Sequence, residues 1–392
     1  MNAQGLGFRA LAVGIGLLIG GGLVELGLRL SGTIPVPVKR MLYLPGQPYA
    51  PLSHPPFTTY LKDFEGHQIY FQCTEGGCTE DMRIDFRTSR KRMRDSLHTL
   101  EKAPGSWRLM VLGDSFSVAD GVPRMESWAQ RLGVALHQGW EGRQVELINT
   151  SQQAYSTLDQ WHGLQYGIRL DPDMLAIGIY LNDAKPSTAN WSVRGIPRRE
   201  QGAFWDEYRV QNGTIGPWLP PISASERRQM PEAGLDHTHF SGNLRRRRNF
   251  EQPLALLKWA AALRTGRRER ADTIAAIRAW WGPWNTLGQL EFSWSLAQLG
   301  KLQEDRAIPV VAVVFPWMDA LEGSYPFHDI HQKIHDHLDD ADIAWVDMLQ
   351  PFQEAVQAGT VPWAHPSDHH PSSALHAVTA EALLPLVQAR AK

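Results

Sequence analysis

From Trp107 onward, short unbroken apolar runs alternate with longer stretches of mixed character. The runs are RLMVL (108–112), VELIN (145–149), MLAIGIY (174–180), PVVAVVF (309–315) and IAWVDML (343–349). Runs this short and this continuous read as strands buried on both faces rather than half-exposed ones. The stretches between them carry helical spacing, as in SWAQRLGVALHQ (127–138). Strands alternating with helices predict an α/β fold, a parallel sheet with helices on both sides. No internal repeat is evident.

The pattern before Trp107 is different. Ala10 to Leu28 is apolar and Gly-rich, with Arg9 and Arg29 at its ends. A helix of that length roughly matches the thickness of a bilayer core. An uncleaved N-terminal membrane anchor is the favoured reading. A cleaved signal peptide is the rival, though no A-x-A site follows, and a buried helix of a soluble fold is the plain alternative. Glu25 lies near one end, where its carboxylate can snorkel toward headgroups. Arg9 argues for an inside N-terminus, whereas Arg29, Lys39 and Arg40 argue for the opposite orientation. Residues 31–60 are Pro-rich and read as a linker. Residues 61–105 read as short strands and turns, ending in the basic run FRTSRKRMR (86–94), taken as a solvated face.

A long insertion separates the third and fourth strands, at about 184–300. It holds Trp191, Trp205 and Trp218, then the run Arg245–Arg248, then helical stretches with Trp259, Trp280, Trp281, Trp284 and Trp294. Tryptophans could stack on sugar rings, but packing the insertion onto the main domain is the favoured reading, since Trp is usually largely buried. The domain scheme is therefore 1–30 as anchor or signal-like helix, 31–105 as linker and small extension, and 106–392 as the main domain with its insertion.

Composition narrows the function classes. The chain has 392 residues, 43% of them hydrophobic, with a formal net charge of -2. No global field recruits nucleic acid. The two cysteines, Cys73 and Cys78 in CTEGGC, exclude a disulfide scaffold. They form either one small disulfide loop or two free thiols. A zinc site there would need more ligands than His67 supplies.

Three short blocks carry candidate chemistry. Gly113-Asp114-Ser115-Phe116-Ser117 directly follows the strand RLMVL. A serine there sits at a strand's carboxyl end, where open α/β sheets place their sites. Its N–H lies near a helix N-terminus, where donors meet developing negative charge. Gly113 is read as allowing a tight turn. Asn182-Asp183 follows the strand MLAIGIYL and reaches the same edge, and an Asn amide is a good oxyanion donor. Ser367-Asp368-His369-His370-Pro371 precedes a C-terminal helical run. A serine nucleophile needs a base, and the base needs a carboxylate to fix its tautomer. Each block also has a plain structural explanation, as a turn, a cap or a His-rich loop.

Taken in this order, the blocks resemble the SGNH/GDSL hydrolase family from about Trp107 to Leu384. The resemblance implies a flavodoxin-like three-layer domain acting on ester bonds. It implies Ser115 as nucleophile, His370 as base and Asp368 as its partner. The oxyanion donors would be Ser115, Ala154 and Asn182, with Gly113, Asp114 and Asp183 in support. Many members place the Asp three residues before the His, and that position here is Ser367; the D-x-H-P form assigns Asp368. His369 is disfavoured as base because Pro follows His370. One block departs from the pattern. The family's N-x-[GS]-x-x-G reads Asn149-Thr150-Ser151-Gln152-Gln153-Ala154 here, and alanine tolerates fewer backbone angles than glycine. If that turn needs a positive φ, this arm of the oxyanion hole is strained.

The N-terminal helix ending in VELGLRL also resembles a membrane-anchored bacterial subgroup linked to envelope polysaccharide assembly. That likeness implies a periplasmic or other extracytoplasmic domain acting on an ester-bearing small molecule or acylated glycan. Hydrolysis and O-acetyl transfer would use the same residues. A catalytically silent, membrane-anchored glycan-binding or assembly protein is the reading from another class. This chemistry requires no metal or organic cofactor.

Overall fold

In the computed structural model the described residues are 3–31, 41–44, 48–51, 58–74, 77–140, 142–185, 270–283, 285–366 and 368–391. The five apolar runs form one parallel sheet: β1 (Ser106–Leu112), β2 (Gln144–Asn149), β3 (Met174–Tyr180), β4 (Val310–Phe315) and β5 (Ala344–Asp347). Their order is β2-β1-β3-β4-β5, the flavodoxin-like order. β4 is buried along its whole length, as are β1 and β3 apart from one terminal residue each. That is why their sequences show no alternation. β5 lies at the edge and is only partly buried. It is shorter than its apolar run because the chain turns at Asp347, whose Oδ1 accepts the Leu349 N–H at 2.8 Å.

Two helical layers cover the sheet. On one side Trp128–Gly139 packs against Ser373–Arg390, which also meets Leu349–Gln357. On the other, Thr286–Arg306 packs against Thr157–Gly167 and His328–Asp340. A single apolar core runs between these layers, with Leu109, Ile177, Val313, Trp128, Phe292 and Leu383 essentially closed to solvent. Switching from β1 outward to β2 and back to β3 opens a crevice at the carboxyl ends of β1 and β3. Gly113 and Asn182 follow those two ends.

The chain divides into two compact units, 1–40 with 70–82 and 234–273, and 41–69 with 83–233 and 274–392. The sheet belongs to the second. In the first, Ala3–Ser31 is helical, and its span Val13–Leu30 has mean hydropathy 1.7, apolar and long enough to cross a membrane. Glu25 makes an ion pair with Arg29 at 2.8 Å, one turn along. Its charge therefore has a partner on the helix as well as any reach toward headgroups.

The described part of the insertion is helical over 270–280. Trp281 is buried and its Nε1 donates to the Leu181 carbonyl at 2.7 Å. Trp294 meets Trp161 edge to face, with centroids 6.0 Å apart. These tryptophans pack, as the composition argument favoured. Trp191, Trp205, Trp218, Trp259, Trp284, Arg245–Arg248 and the side chains of Cys73 and Cys78 lie outside the described residues.

Candidate active site

Ser115 opens a short helix, Ser115–Val118, immediately beyond β1. Asp114 caps it: its buried Oδ1 accepts the Phe116 N–H at 2.9 Å. Burial pushes the Asp114 carboxyl above its ordinary range, against the pull of Lys185, the Phe116 N–H and His370. The helix ends at Ala119 with φ +64. Gly113 proves to be required by space rather than by backbone angle. A Cβ there would sit 2.2 Å from Ser117 Oγ, and its φ is not positive. Gly178 of β3 meets the other side of the same hydroxyl, at 2.1 Å from an added Cβ.

The loop after β2 is held by its own first residue. Asn149 Nδ2 donates to the Ser117 carbonyl at 2.9 Å, and its Oδ1 accepts the Ser151 N–H at 3.0 Å. The Gln152 N–H donates to the Gly113 carbonyl at 3.2 Å, which ties this loop to the Ser115 turn. Ala154 follows with φ +60 and is exposed. The turn does demand the left-handed region, so the alanine carries strain of about 1–2 kcal/mol that glycine would not.

Asn182 and Asp183 form the turn after β3, closed by Asp183 N–H to the Tyr180 carbonyl at 2.9 Å. Asn182 is partly exposed, and its Oδ1 is buried without a hydrogen-bond partner. Asp183 is buried and points to the fold instead of the crevice. Its Oδ2 accepts from Gln160 Nε2 at 2.9 Å, and its carbonyl accepts the Thr157 N–H at 3.3 Å. Burial, then the neighbouring Asp114 charge, raise its carboxyl well above the ordinary range.

Asp368–Pro371 is a short strand paired antiparallel with Trp363–His365, and it lies against the Ser115 helix. His370 Nδ1 and Asp368 Oδ1 are 2.5 Å apart. The His370 ring meets Phe116, the residue after Ser115, at a centroid distance of 5.3 Å. Neighbouring side chains on a strand point to opposite faces. His369 accordingly faces away from this pair, stacks on Trp363 at 4.8 Å and pairs with Asp319. Ser367 lies outside the described residues. Ser115, the Ala154 turn and Asn182 thus follow the carboxyl ends of β1, β2 and β3, and the strand carrying His370 and Asp368 lies against the Ser115 helix.

The chain is similar to several solved structures. TesA is 14% identical, with 72% of this chain and 99% of that one aligned and a TM-score of 0.36. A two-domain esterase (CEX) active on acetylated mannans is 11% identical, covering 73% of this chain and 50% of that one, with a TM-score of 0.38. A member of the lipolytic G-D-S-L family from Veillonella parvula is 10% identical, covering 72% and 98%, with a TM-score of 0.32. No protein-family model matches the sequence, and no curated protein does. At such scores the chemistry rests on this chain's own residues.

Three residues of the site were not visible in the sequence. Asp120 is buried, its N–H donates to the Ser115 carbonyl at 3.1 Å, and its Oδ2 accepts from Gln153 Nε2. Burial raises its carboxyl to about 6, with His370 opposing and Asp368 reinforcing the shift. Arg94, from the run read as a solvated face, is buried. Its guanidinium donates to the Val118 and Ala119 carbonyls, each at 2.8 Å, and to the Val122 carbonyl at 2.9 Å, and lies 4.8 Å over the Phe86 ring. It clamps the loop that leaves the Ser115 helix. Tyr60 does the same for the other loop: its N–H donates to Gln152 Oε1 at 2.9 Å, and its hydroxyl accepts the Gln153 N–H at 3.3 Å. The small extension therefore braces the crevice.

Proposed function

We propose that this chain is a serine-dependent ester hydrolase or acyl-transfer enzyme, with Ser115 as nucleophile and His370 as general base. The observation that carries this reading is the 2.5 Å His370–Asp368 contact on a strand lying against the Ser115 helix. With Nδ1–H held by Asp368, the basic lone pair of His370 is on Nε2. That nitrogen takes the Ser115 proton as Oγ attacks the ester carbonyl. The N–H groups of Ser115 and Ala154 and the Asn182 amide hold the oxyanion. His370 then returns the proton to the departing alcohol, leaving an acyl-serine. Water completes hydrolysis; a sugar hydroxyl in its place completes acyl transfer. Ala154 keeps its N–H in the left-handed turn at the cost of strain, which supports a working hole rather than a silent one.

The substrate we assign is a small acyl ester, acetyl foremost, on a glycan. The N-terminal helix anchors the protein to a membrane, with the site on the extracytoplasmic side. p-Nitrophenyl acetate hydrolysis by the full chain in detergent, beside Ser115→Ala and His370→Ala, tests the chemistry. The expected result is a rate loss of at least about 1000-fold in both variants with circular dichroism unchanged. Equal rates in all three proteins would remove simple esterase activity and bring forward an acyltransferase that needs its own donor, or a silent glycan-binding protein.

A further inference from the structure

Away from the Ser115 site, two histidines and a carboxylate converge on one point. His331 and His335 lie one turn apart on the helix His328–Asp340, so both rings leave the same face. Asp347 ends β5. Its Oδ2 is 2.6 Å from His331 Nδ1 and 2.7 Å from His335 Nε2. The three donor atoms lie within 4.8 Å of one another.

Each donor is also oriented from outside the trio. The second Asp347 oxygen is held by the Leu349 N–H at 2.8 Å. His331 Nε2 meets the Tyr325 hydroxyl at 2.9 Å, and that hydroxyl accepts the Trp317 N–H at 2.8 Å. The His335 ring stacks flat on Trp345, with centroids 3.9 Å apart and planes 9° from parallel. Outer contacts of this kind fix ring orientation and tautomer in metal sites. The His331 side chain is 4% exposed, but those of His335 and Asp347 are 15% and 17% exposed, which leaves a way in for an ion.

We propose that His331, His335 and Asp347 bind one divalent first-row transition ion, zinc foremost. Two imidazole nitrogens and one carboxylate oxygen suit zinc, and three protein ligands leave a position for water. Binding requires only that each imidazole carry its proton on the outer nitrogen, with His331 then donating to the Tyr325 oxygen. To surround an ion at about 2.0–2.1 Å, the carboxylate oxygen would draw away from each nitrogen by roughly half an ångström and the two nitrogens would close toward each other. The ion would tie the helix to β5, the edge strand with the least burial. β3 and β4 separate this point from β1 in the sheet, so the site is distinct from the crevice at Ser115.

The test uses the full chain in detergent, stripped with chelator and titrated with Zn2+ by calorimetry and with Co2+ by absorption. The expected result is one tight equivalent of Zn2+, a visible ligand-field band with Co2+ and a melting temperature raised by several degrees. His335→Gln and Asp347→Asn should each weaken binding at least about 100-fold, and Tyr325→Phe about tenfold. His335 is more exposed than His331, so His335→Gln keeps the test usable if Asp347→Asn unfolds. A wild-type chain that takes up no stoichiometric ion, or folded variants that bind as tightly as wild type, would overturn the proposal and leave a hydrogen-bond network only.

Discussion

Two histidine–aspartate pairs in this molecule share one short contact, a carboxylate oxygen on Nδ1, and differ in what surrounds it. In one, His370 Nδ1 meets Asp368 Oδ1 at 2.5 Å; in the other, His331 Nδ1 meets Asp347 Oδ2 at 2.6 Å. The first pair lies on a two-stranded ribbon against the Ser115 helix, at the crevice. The second bridges a helix and an edge strand, and Tyr325 occupies the outer nitrogen of its imidazole. A carboxylate on Nδ1 orients a histidine in both places. What the far nitrogen faces decides whether the ring can move a proton for a substrate or holds an element in place.

Asp368→Asn should separate the two pairs most. It should lower kcat on p-nitrophenyl acetate by about 10³–10⁴-fold with little change in urea unfolding, because the imidazole loses its tautomer and orientation. Retained turnover would mean the two pairs do the same structural job. Asp120 is a third carboxyl whose charge acts on the His370–Asp368 pair. Its carboxyl titrates at about 6 in the folded chain against an ordinary value of 3.8. The folded state then binds more protons than the unfolded state between those pH values. Wild type should therefore lose stability as pH rises through that window, by up to about 3 kcal/mol, and stay lower above it. Asp120→Asn should flatten that part of the profile; parallel urea profiles at pH 4–7 would sink the assignment.

Tyr325→Phe probes the second pair. It strands the Trp317 N–H and the His331 Nε2, and should cost about 1–3 kcal/mol in unfolding experiments while kcat stays within about twofold. A large fall in kcat instead would place that network in the reaction. The smallest effect belongs to Ala154→Gly, which releases left-handed strain and should stabilise the chain by about 1 kcal/mol or less, with turnover equal or higher. A destabilised glycine variant would show that the turn is not strained in solution.

The parallel sheet was legible because burial on both faces writes unbroken apolar runs, and all five runs became strands. The residues at the crevice were legible because three of its blocks each follow a strand or precede a helix. The flanking support was not. Arg94 looks like its neighbours in FRTSRKRMR, and its partners are carbonyls of Val118, Ala119 and Val122, which carry no side-chain signal. Asp120 reads as an ordinary Asp-Gly turn, since nothing local reports that Gln153 and the Ser115 carbonyl enclose it. The strain at Ala154 could be stated in the sequence only as a condition on φ, because the condition itself is set by the Asn149 and Gln152 hydrogen bonds.

The hydroxyl of Ser117 sits between Gly113, just past the end of β1, and Gly178 of β3, and this constrains how the sequence can drift. An alanine at Gly178 meets Ser117 Oγ at 2.1 Å but Ser117 Cβ only at 3.5 Å, whereas an alanine at Gly113 meets that same Cβ at 2.5 Å. Replacing Ser117 by alanine first would thus open most of the space at Gly178 and leave Gly113 still closed. Substitutions at Ser117 and Gly178 are tolerable in one order and blocked in the other, and Gly113 is closed in either. A lineage that had lost the glycine of β3 would carry, as the trace of its route, a smaller residue two positions beyond Ser115.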